Sequence, residues 1–140
     1  MAVLQVRRDI AAPVAQVWPW LADVERWPQW VPTMLEVQPL DGAGLAEGRR
    51  FRLRQPRLRP AVWTVTQVQA PGSFSWTTGW PGLRLRAEHE LRSAPDGAEL
   101  CLRMHFSGWL APLLRPLLAG LTLDYMRQEA EALAQRCTAP

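Results

Sequence analysis

The sequence contains no lysine and no asparagine, so all sixteen basic residues among its 140 are arginines. It has only two cysteines, Cys101 and Cys137, and two thiols outside a C-x-x-C pair cannot build a disulfide framework. No apolar run reaches the ~18 residues that a membrane-spanning helix needs. The first residues lack the charged and apolar regions of a secretory signal. These absences predict a reduced, cytoplasmic protein without a membrane span.

Tyrosine occurs once, as Tyr125, whereas tryptophan occurs eight times. Trp at that density requires a large apolar interior or an aromatic-lined cavity. Hydrophobic residues make up 48% of the chain and charged residues 21%, which is ordinary for a globular protein. The length predicts one domain over residues 1–140. The formal net charge of +3 permits contact with an anionic surface without requiring it.

Several sequence motifs of catalysis are also missing. There is no H-E-x-x-H or clustered Cys/His spacing, no G-x-S-x-G and no glycine-rich phosphate loop. We therefore predict no metal and no cofactor.

Six of the sixteen arginines lie in residues 49–59, but the aromatic residues of these strands fall on the opposite face, which argues against a nucleic-acid partner. Contact with an anionic membrane stays open, through the arginines and the Leu-rich residues 108–121.

The hydrophobic pattern predicts a run of strands followed by one long helix. Period-two alternation is typical of strands, and it occurs at 2–10, 34–40, 49–55, 61–69, 73–80, 83–92 and 98–106. Two short helices are expected after the first strand, with Pro13 at the first helical position and Asp23 capping the second helix. Residues 109–136 are expected to form the long helix, with Leu113 and Leu117 on its apolar side.

The order and spacing of several segments resemble a known superfamily. They are IAAPVAQVWPWLADVERWPQWVP at 10–32, EGRRFRL at 47–53, VTQVQAPGSFSWT at 65–77, HELRSAPDGAELCLRMHFSG at 89–108 and the final helix. Together they are similar to the START-related, Bet v 1-like superfamily, in particular its polyketide cyclase/dehydrase and lipid-transport branch. The resemblance implies an α+β helix-grip fold, in which a seven-stranded antiparallel sheet wraps around the C-terminal helix and two short helices follow strand 1. It also implies a container for hydrophobic ligands, since some members are cyclases or aromatases and many are carriers.

Strand parity and the helix stripe give a set of candidate ligand-binding residues. These inward positions are Phe51, Leu53, Gln55, Trp63, Val65, Phe74, Trp76, Thr78, Leu85, His89, Leu102, Met104, Phe106, Leu117, Leu121 and Tyr125. Trp80 shares the same parity. Trp18, Trp20, Trp27 and Trp30 are expected to fix the short helices to the rest of the fold.

His89 and Tyr125 are the inward residues best able to hydrogen-bond a ligand, and they are also the candidate catalytic residues. Burial disfavours an imidazolium, so we expect His89 to be neutral near pH 7 and to suit a ligand carbonyl or hydroxyl better than a carboxylate. The alternative for both residues is a purely structural role in the core.

Four functions remain open at this point. The first is binding or carriage of a hydrophobic small molecule, such as a lipid, polyketide or isoprenoid-like compound, between sheet and helix. The second is a cyclase/aromatase or dehydratase-type enzyme with His89 as acid/base and Tyr125 as donor. The third is a lipid or quinone chaperone at a membrane surface, and the fourth is a partner-binding domain with a filled core. The ligand, the occurrence of turnover and the oligomeric state are not predicted.

Overall fold

The computed structural model describes residues 3–138, which form seven strands, two α-helices and one 3₁₀ helix. The elements are β1 (Val3–Ile10), α1 (Val14–Ala22), the 3₁₀ helix (Val24–Gln29), β2 (Glu36–Pro39), β3 (Arg50–Arg54), β4 (Ala61–Gln69), β5 (Ser73–Trp80), β6 (Leu83–Ala94), β7 (Gly97–Ser107) and α2 (Ala111–Thr138). Ala2, where the predicted first strand begins, lies outside the described residues, as do the ends of the predicted 1–140 domain.

The strands form one sheet in the order β1-β7-β6-β5-β4-β3-β2, and every neighbouring pair is antiparallel. The 28-residue α2 packs mainly against β1 and β7, and α1 packs against α2. This arrangement confirms the predicted α+β helix-grip fold. Among residues 3–138, no helix is long and apolar enough to cross a membrane.

The predicted strand register is correct. Apart from Trp80, all the predicted inward strand positions are buried or partly buried, including Phe51 at 0% and Phe74 at 1% exposure. Leu85 is partly buried, whereas its neighbours Arg84 and Arg86 are exposed. A shift by one residue would have reversed this pattern, because side chains alternate between the two faces of a strand. The inner face is therefore apolar and aromatic, and the arginines lie on the outer face.

Three inward assignments are wrong. Trp80 has the parity of the inner face, but it is 54% exposed because it ends β5 beyond the part of the sheet that α2 covers. Leu117 is 74% exposed, and so is Leu113 at 66%. A helix turns by about 100° per residue, and the turns of α2 that place Leu118 and Leu121 toward the sheet place Leu117 and Leu113 toward solvent. The segment is apolar on all sides, so its sequence does not reveal which side faces inward.

The two short helices differ in detail from their prediction. Pro13 precedes α1 as its N-cap in extended conformation, so Val14 is the first helical residue. Asp23 does stand at the N-cap of the 3₁₀ helix, but its side chain makes no capping hydrogen bond. Its carboxylate instead lies 3.4 Å from Nε of Arg26. Short helices of this kind depend on tertiary packing more than on their caps.

One ion pair joins the first strand to the last helix, and it predicts a pH dependence of stability. Arg8 Nε donates to Glu131 Oε2 at 2.9 Å, and this hydrogen bond holds the pKa of Glu131 below its ordinary value. A carboxyl whose pKa is lowered in the folded state stabilises the fold above its ordinary pKa and loses that contribution as pH falls through the lowered pKa. We expect Glu131→Gln to be less stable than wild type at about pH 6 and equally stable at about pH 2. Urea denaturation at a series of pH values measures this, and a difference that persists at the acid end would contradict it.

Candidate functional site

A narrow cavity lies between the inner face of the sheet and α2. The void, including its opening to solvent, is about 670 Å³, and about 100 Å³ of it can hold the centre of a water molecule. The wall is mainly apolar. Its residues are Trp27, Thr33, Met34, Leu53, Gln55, Leu58, Trp63, Trp76, Leu85, Ala87, His89, Met104, Leu118, Leu121, Thr122, Tyr125, Met126 and Glu129.

The sheet side of the cavity is an aromatic cluster centred on Trp76. This residue is 3% exposed. Its ring centroid lies 5.3–6.2 Å from five other rings, those of Trp27, Phe51, Trp63, Phe74 and His89. The tilted and edge-to-face arrangements of these rings are the ones that aromatic pairs prefer. The indole of Trp76 is thus held on several sides while one edge borders the cavity.

Trp27 covers the cavity from the side of the 3₁₀ helix. It is 1% exposed, and its Nε1 donates to the carbonyl of Leu21 at 3.1 Å. Its ring lies 5.6 Å from that of Trp76 and 5.7 Å from that of His89. Trp27 therefore anchors the short helices, as expected, and also forms a wall of the cavity, which the sequence analysis did not predict.

His89 and Glu129 form a buried polar pair in the cavity wall. His89 is 4% exposed and stacks on Phe74, with ring centroids 4.2 Å apart and an interplanar angle of 7°. Its Nε2 lies 3.3 Å from Oε1 of Glu129, whose side chain is 16% exposed. The contact lacks hydrogen-bond geometry, so that within residues 3–138 both Glu129 Oε1 and His89 Nδ1 are buried without a hydrogen-bond partner. Buried polar atoms are normally paired, so this pair leaves unused hydrogen-bonding capacity.

The local sequence explains why these two side chains meet. Alternation along β6 directs His89 inward, and the register places it opposite Phe74 of β5 and Leu102 of β7. On α2, Glu129 follows Tyr125 by four residues, so the two side chains lie on the same face of the helix. That face is the one over the sheet, and a carboxylate on it must enter the space above His89.

Tyr125 closes one side of the cavity. Its hydroxyl donates to the carbonyl of Pro56 in the loop between β3 and β4. The same loop contributes Gln55 and Leu58 to the cavity wall, and Leu58 is 40% exposed. The cavity therefore reaches the surface beside this loop. Because the Tyr125 hydroxyl already donates its hydrogen to the Pro56 carbonyl, it can only accept a hydrogen bond from a ligand while that bond is present.

The structure brings nine of the sixteen sequence-predicted residues to the cavity: Leu53, Gln55, Trp63, Trp76, Leu85, His89, Met104, Leu121 and Tyr125. Four others are core residues outside its wall: Phe51, Val65, Phe74 and Leu102. Thr78 donates to the carbonyl of Val62 at 2.8 Å and lies in an outer groove. Phe106 belongs to a second small core cluster, and Leu117 faces solvent.

The most important residue that sequence reasoning missed is Glu129. A charged residue among the inward positions of the last helix is unexpected, but its spacing of four from Tyr125 was a usable signal. Ala87 could also have been found, because it lies between Leu85 and His89 in the same alternation. Thr33 and Met34 belong to a loop, where no periodic pattern exists to indicate direction.

Neither cysteine lies in the wall of the cavity. Cys137 lies outside the cavity, and burial raises the pKa of its thiol to about 11, which keeps it protonated at neutral pH. Cys101 is buried in β7, also away from the cavity. In the part of the chain that the structure describes, no three His, Cys, Asp or Glu side chains are grouped so that they could hold a metal ion.

The comparison with protein families agrees with this architecture. Residues 1–138 match the family described as "Polyketide cyclase / dehydrase and lipid transport". The chain belongs to this family. The match spans all the described elements, so the resemblance noted from the sequence is confirmed. No curated protein matches the chain significantly.

Solved structures show the same fold at low sequence identity. The aromatase/cyclase ZhuI of Streptomyces sp. R1128 has a TM-score of 0.77 at 17% identity, covering 97% of this chain and 93% of that one. Ara h 8.0201 has a TM-score of 0.81 at 10% identity, with 99% of both chains covered. Protein MLL2253 of Mesorhizobium loti has a TM-score of 0.75 at 21% identity, with 96% and 95% covered. At these identities the likeness shows a common helix-grip fold and not a common ligand.

The packing around Trp76 predicts a large stability effect. Trp76→Ala removes a buried ring from contact with its aromatic neighbours, so we expect the free energy of unfolding to fall by about 3–5 kcal/mol. Trp80→Ala, at the exposed end of the same strand, is the matched control and should cost about 1 kcal/mol or less. Urea denaturation of the three proteins measures both values. Equal costs at the two positions would mean that Trp76 is not a packed part of the wall.

Proposed function

We propose that this protein binds an apolar small molecule of about one or two rings that carries a single hydroxyl or carbonyl group. The observation that supports this most is the His89–Glu129 pair, because it is a buried polar group with free hydrogen-bonding atoms in an otherwise apolar and aromatic wall. Ligand sites commonly combine a largely apolar surface with a few polar groups that orient the ligand. Family membership supports the same class of function.

The dimensions of the cavity limit the ligand. The centre of a water molecule can occupy about 100 Å³ of the cavity. A space of this size suits a flat ring system better than a long acyl chain. This space of about 100 Å³ is below the ~300–1,000 Å³ that is usual for small-molecule sites, so the ligand must be small. The rings of Trp27, Trp63 and Trp76 would contact the faces and edges of such a ligand.

The charge of the polar pair limits the ligand's polar group. Glu129 places a carboxylate 3.3 Å from His89, so an anionic ligand would meet a like charge in a poorly solvated site. A hydroxyl could donate to Glu129 Oε1, and a hydroxyl or carbonyl could bond Nδ1 of His89 according to its tautomer. The unpartnered atoms thus favour neutral, oxygenated ligands over fatty acids.

Two probes that differ by one hydroxyl test this proposal. We expect wild-type protein to bind 1-naphthol roughly 5–10 times more tightly than naphthalene, because one additional hydrogen bond contributes about 1 kcal/mol. In His89→Phe this ratio should fall to about one while naphthalene affinity changes by less than about twofold. Equilibrium dialysis measures both affinities. Glu129→Gln provides a second variant that keeps the shape of the wall.

The second histidine supplies a matched control. His105 also contacts a carboxylate, that of Glu88, but it does so on the outer face of the sheet. His105→Phe should therefore leave the 1-naphthol preference unchanged. If wild type, His89→Phe and His105→Phe all show the same ratio, His89 does not orient the ligand. If neither probe binds wild type, the cavity is a filled core and the proposal fails.

The chain has only two histidines, which allows a test without substitution. With the imidazole rings isotopically labelled, titration with 1-naphthol should shift the NMR signals of His89 and leave those of His105 in place. Naphthalene should shift the His89 ring much less, since it offers no hydrogen bond. Shifts of equal size at both histidines would indicate binding on the surface or a global change.

A second candidate function is an enzyme of the cyclase/aromatase or dehydratase type. Proton abstraction next to a carbonyl and loss of water are both acid–base steps, and His89 beside a carboxylate is a suitable base and acid for them. The structural likeness to an aromatase/cyclase is in keeping with this candidate without identifying a substrate. In the present state Tyr125 does not serve as the proton donor, because its hydroxyl already donates to Pro56.

Exchange of hydrogen for deuterium tests the enzyme candidate in its simplest step. In heavy water, the imidazole of His89 would take an α-proton from 2-tetralone, a two-ring ketone, and return a deuteron to the same carbon. We expect wild type to exceed His89→Phe by at least about 100-fold in the rate of this exchange, the usual contribution of a positioned base. NMR integration of the α-protons measures the rate. Equal exchange rates in the two proteins would exclude His89 as the base, and only the binding function would remain.

A further inference from the structure

The exposed large apolar side chains are concentrated at one end of the molecule. Among residues 3–138, nine such side chains are exposed, and they are Val3, Leu35, Leu40, Leu58, Val62, Trp80, Trp109, Leu113 and Leu117. The strand pairing places Val3, Leu35, Val62 and Trp80 at the end where β3, β5 and β7 finish and β4 and β6 begin. The loop after β3 and the start of α2, which adjoin this end, add Leu58, Trp109, Leu113 and Leu117. We call this the mouth end, because the cavity opens there beside Leu58. Scattered apolar residues need no explanation, but a concentration on one surface does.

The start of α2 forms the centre of this surface. Trp109, directly before the helix, is 79% exposed, and Leu113 and Leu117 follow at intervals of four. The other exposed positions of this stretch are Pro112, Pro116 and Gly120, so no charged side chain interrupts the outward face before Asp124. We call Trp109, Leu113 and Leu117 the apolar stripe. In a water-exposed helix this outward side normally carries polar residues.

The stripe is part of a fixed surface. A Cβ atom at Gly82 would lie 2.8 Å from Cε2 of Trp109, so the indole packs directly on the backbone of the β5–β6 turn. Trp80 and Trp109 line the same outer groove. Trp109 thus packs against the turn while most of its surface, 79%, stays exposed, and Trp80 is 54% exposed.

The loops at the mouth end carry charges of one sign. The segments 55–60, 80–84 and 108–117 at the mouth end contain Arg57, Arg59, Arg84 and Arg115 and no Asp or Glu. The one carboxylate in the adjoining strand, Glu36, lies opposite Arg54 in the register. At the other end, the turns carry both signs: Asp41, Glu47 and Asp96 lie there together with Arg49, and Asp41 forms an ion pair with Arg50. Apolar side chains and arginines therefore share one surface.

This combination favours a lipid bilayer over a second copy of the chain. In a symmetric dimer the same patch meets itself, so the arginines of one copy would face those of the other without acidic partners. An anionic bilayer offers phosphates to arginine and an apolar interior to Trp and Leu, and tryptophan is enriched at that interface. We infer that the mouth end docks on an anionic lipid surface through the apolar stripe, Leu58 and the arginines Arg57 and Arg59.

Docking in this orientation would place the opening of the cavity against the lipid. Leu58 belongs both to the cavity wall and to the exposed surface of the loop after β3. An apolar molecule could then pass between bilayer and cavity without crossing water. The inference goes beyond the proposed function and does not depend on it, because vesicle binding needs no ligand.

Vesicle co-sedimentation tests the inference with the full-length chain. We expect binding to phosphatidylcholine vesicles that contain about 30% phosphatidylglycerol to exceed binding to pure phosphatidylcholine at least tenfold at about 0.1 M salt, and to weaken as salt screens the charges. Arg57→Gln with Arg59→Gln should lower the partition coefficient about 25-fold, from about 1 kcal/mol for each arginine. Trp109→Ser with Leu117→Ser should lower it at least about tenfold.

Matched variants at other positions separate docking from general attraction. Arg26→Gln with Arg92→Gln removes the same charge at exposed sites outside the mouth end, and we expect a loss below about threefold. Leu40→Ser, the exposed leucine of the opposite end, should change binding less than twofold. Circular dichroism verifies that all variants are folded; the substituted side chains are mostly exposed, so their folds should persist.

Three results would overturn the inference. The first is wild type that does not bind anionic vesicles. The second is an equal loss for the mouth-end arginines and their controls, which would indicate unspecific attraction by net charge. The third is a wild-type dimer in light scattering that becomes a monomer with Trp109→Ser and Leu117→Ser, which would make the stripe an interface between copies. Ligand binding measured without vesicles remains a separate experiment, so failure of one proposal is distinguishable from failure of the other.

Discussion

The site depends on one geometric constraint: a single helix cannot cover the whole concave face of a seven-stranded sheet. Because α2 packs mainly over β1 and β7, the inner faces of β3 to β6 need other cover. The chain provides it with aromatic rings, above all Trp27 from the 3₁₀ helix and the cluster around Trp76. Rigid rings fill this space incompletely, and the cavity is the remaining gap between them and the helix.

The buried His89–Glu129 pair lies where these two kinds of cover meet. The sheet side supplies an imidazole stacked flat on Phe74, and the helix side supplies a carboxylate. A polar pair in such surroundings contributes little to stability, because desolvation of both groups offsets their attraction. A well-packed apolar pair would serve the core at least as well. The two polar side chains here therefore support the proposal that the cavity binds an oxygenated ligand.

The sequence predicts the sheet well and the site only in part. Strict alternation such as LRLRAEHELR leaves one possible register, so His89 and the inner face follow from the pattern alone. The sequence does not show which way a side chain points where the pattern is uniformly apolar, as in the Leu- and Pro-rich start of α2. There Leu117 was predicted to face inward, but it faces solvent. The direction of a side chain also cannot be predicted where tertiary packing determines it. The position of Trp27 depends on the path of the chain through the 3₁₀ helix. The position of Glu129 depends on the rotation of α2 about its axis.

The hydrogen bond from Tyr125 to Pro56 has a consequence for the rate at which the cavity exchanges its contents. It is a link between α2 and the β3–β4 loop beside the opening, and this loop belongs to neither the sheet nor the helix. Movement of such a loop takes nanoseconds to microseconds, whereas unfolding of a domain takes far longer. For the proposed ligand, opening of this short loop would suffice for entry and exit, so that its exchange rate need not follow global stability. A variant can thus hold its fold unchanged and still exchange a bound molecule at a very different speed.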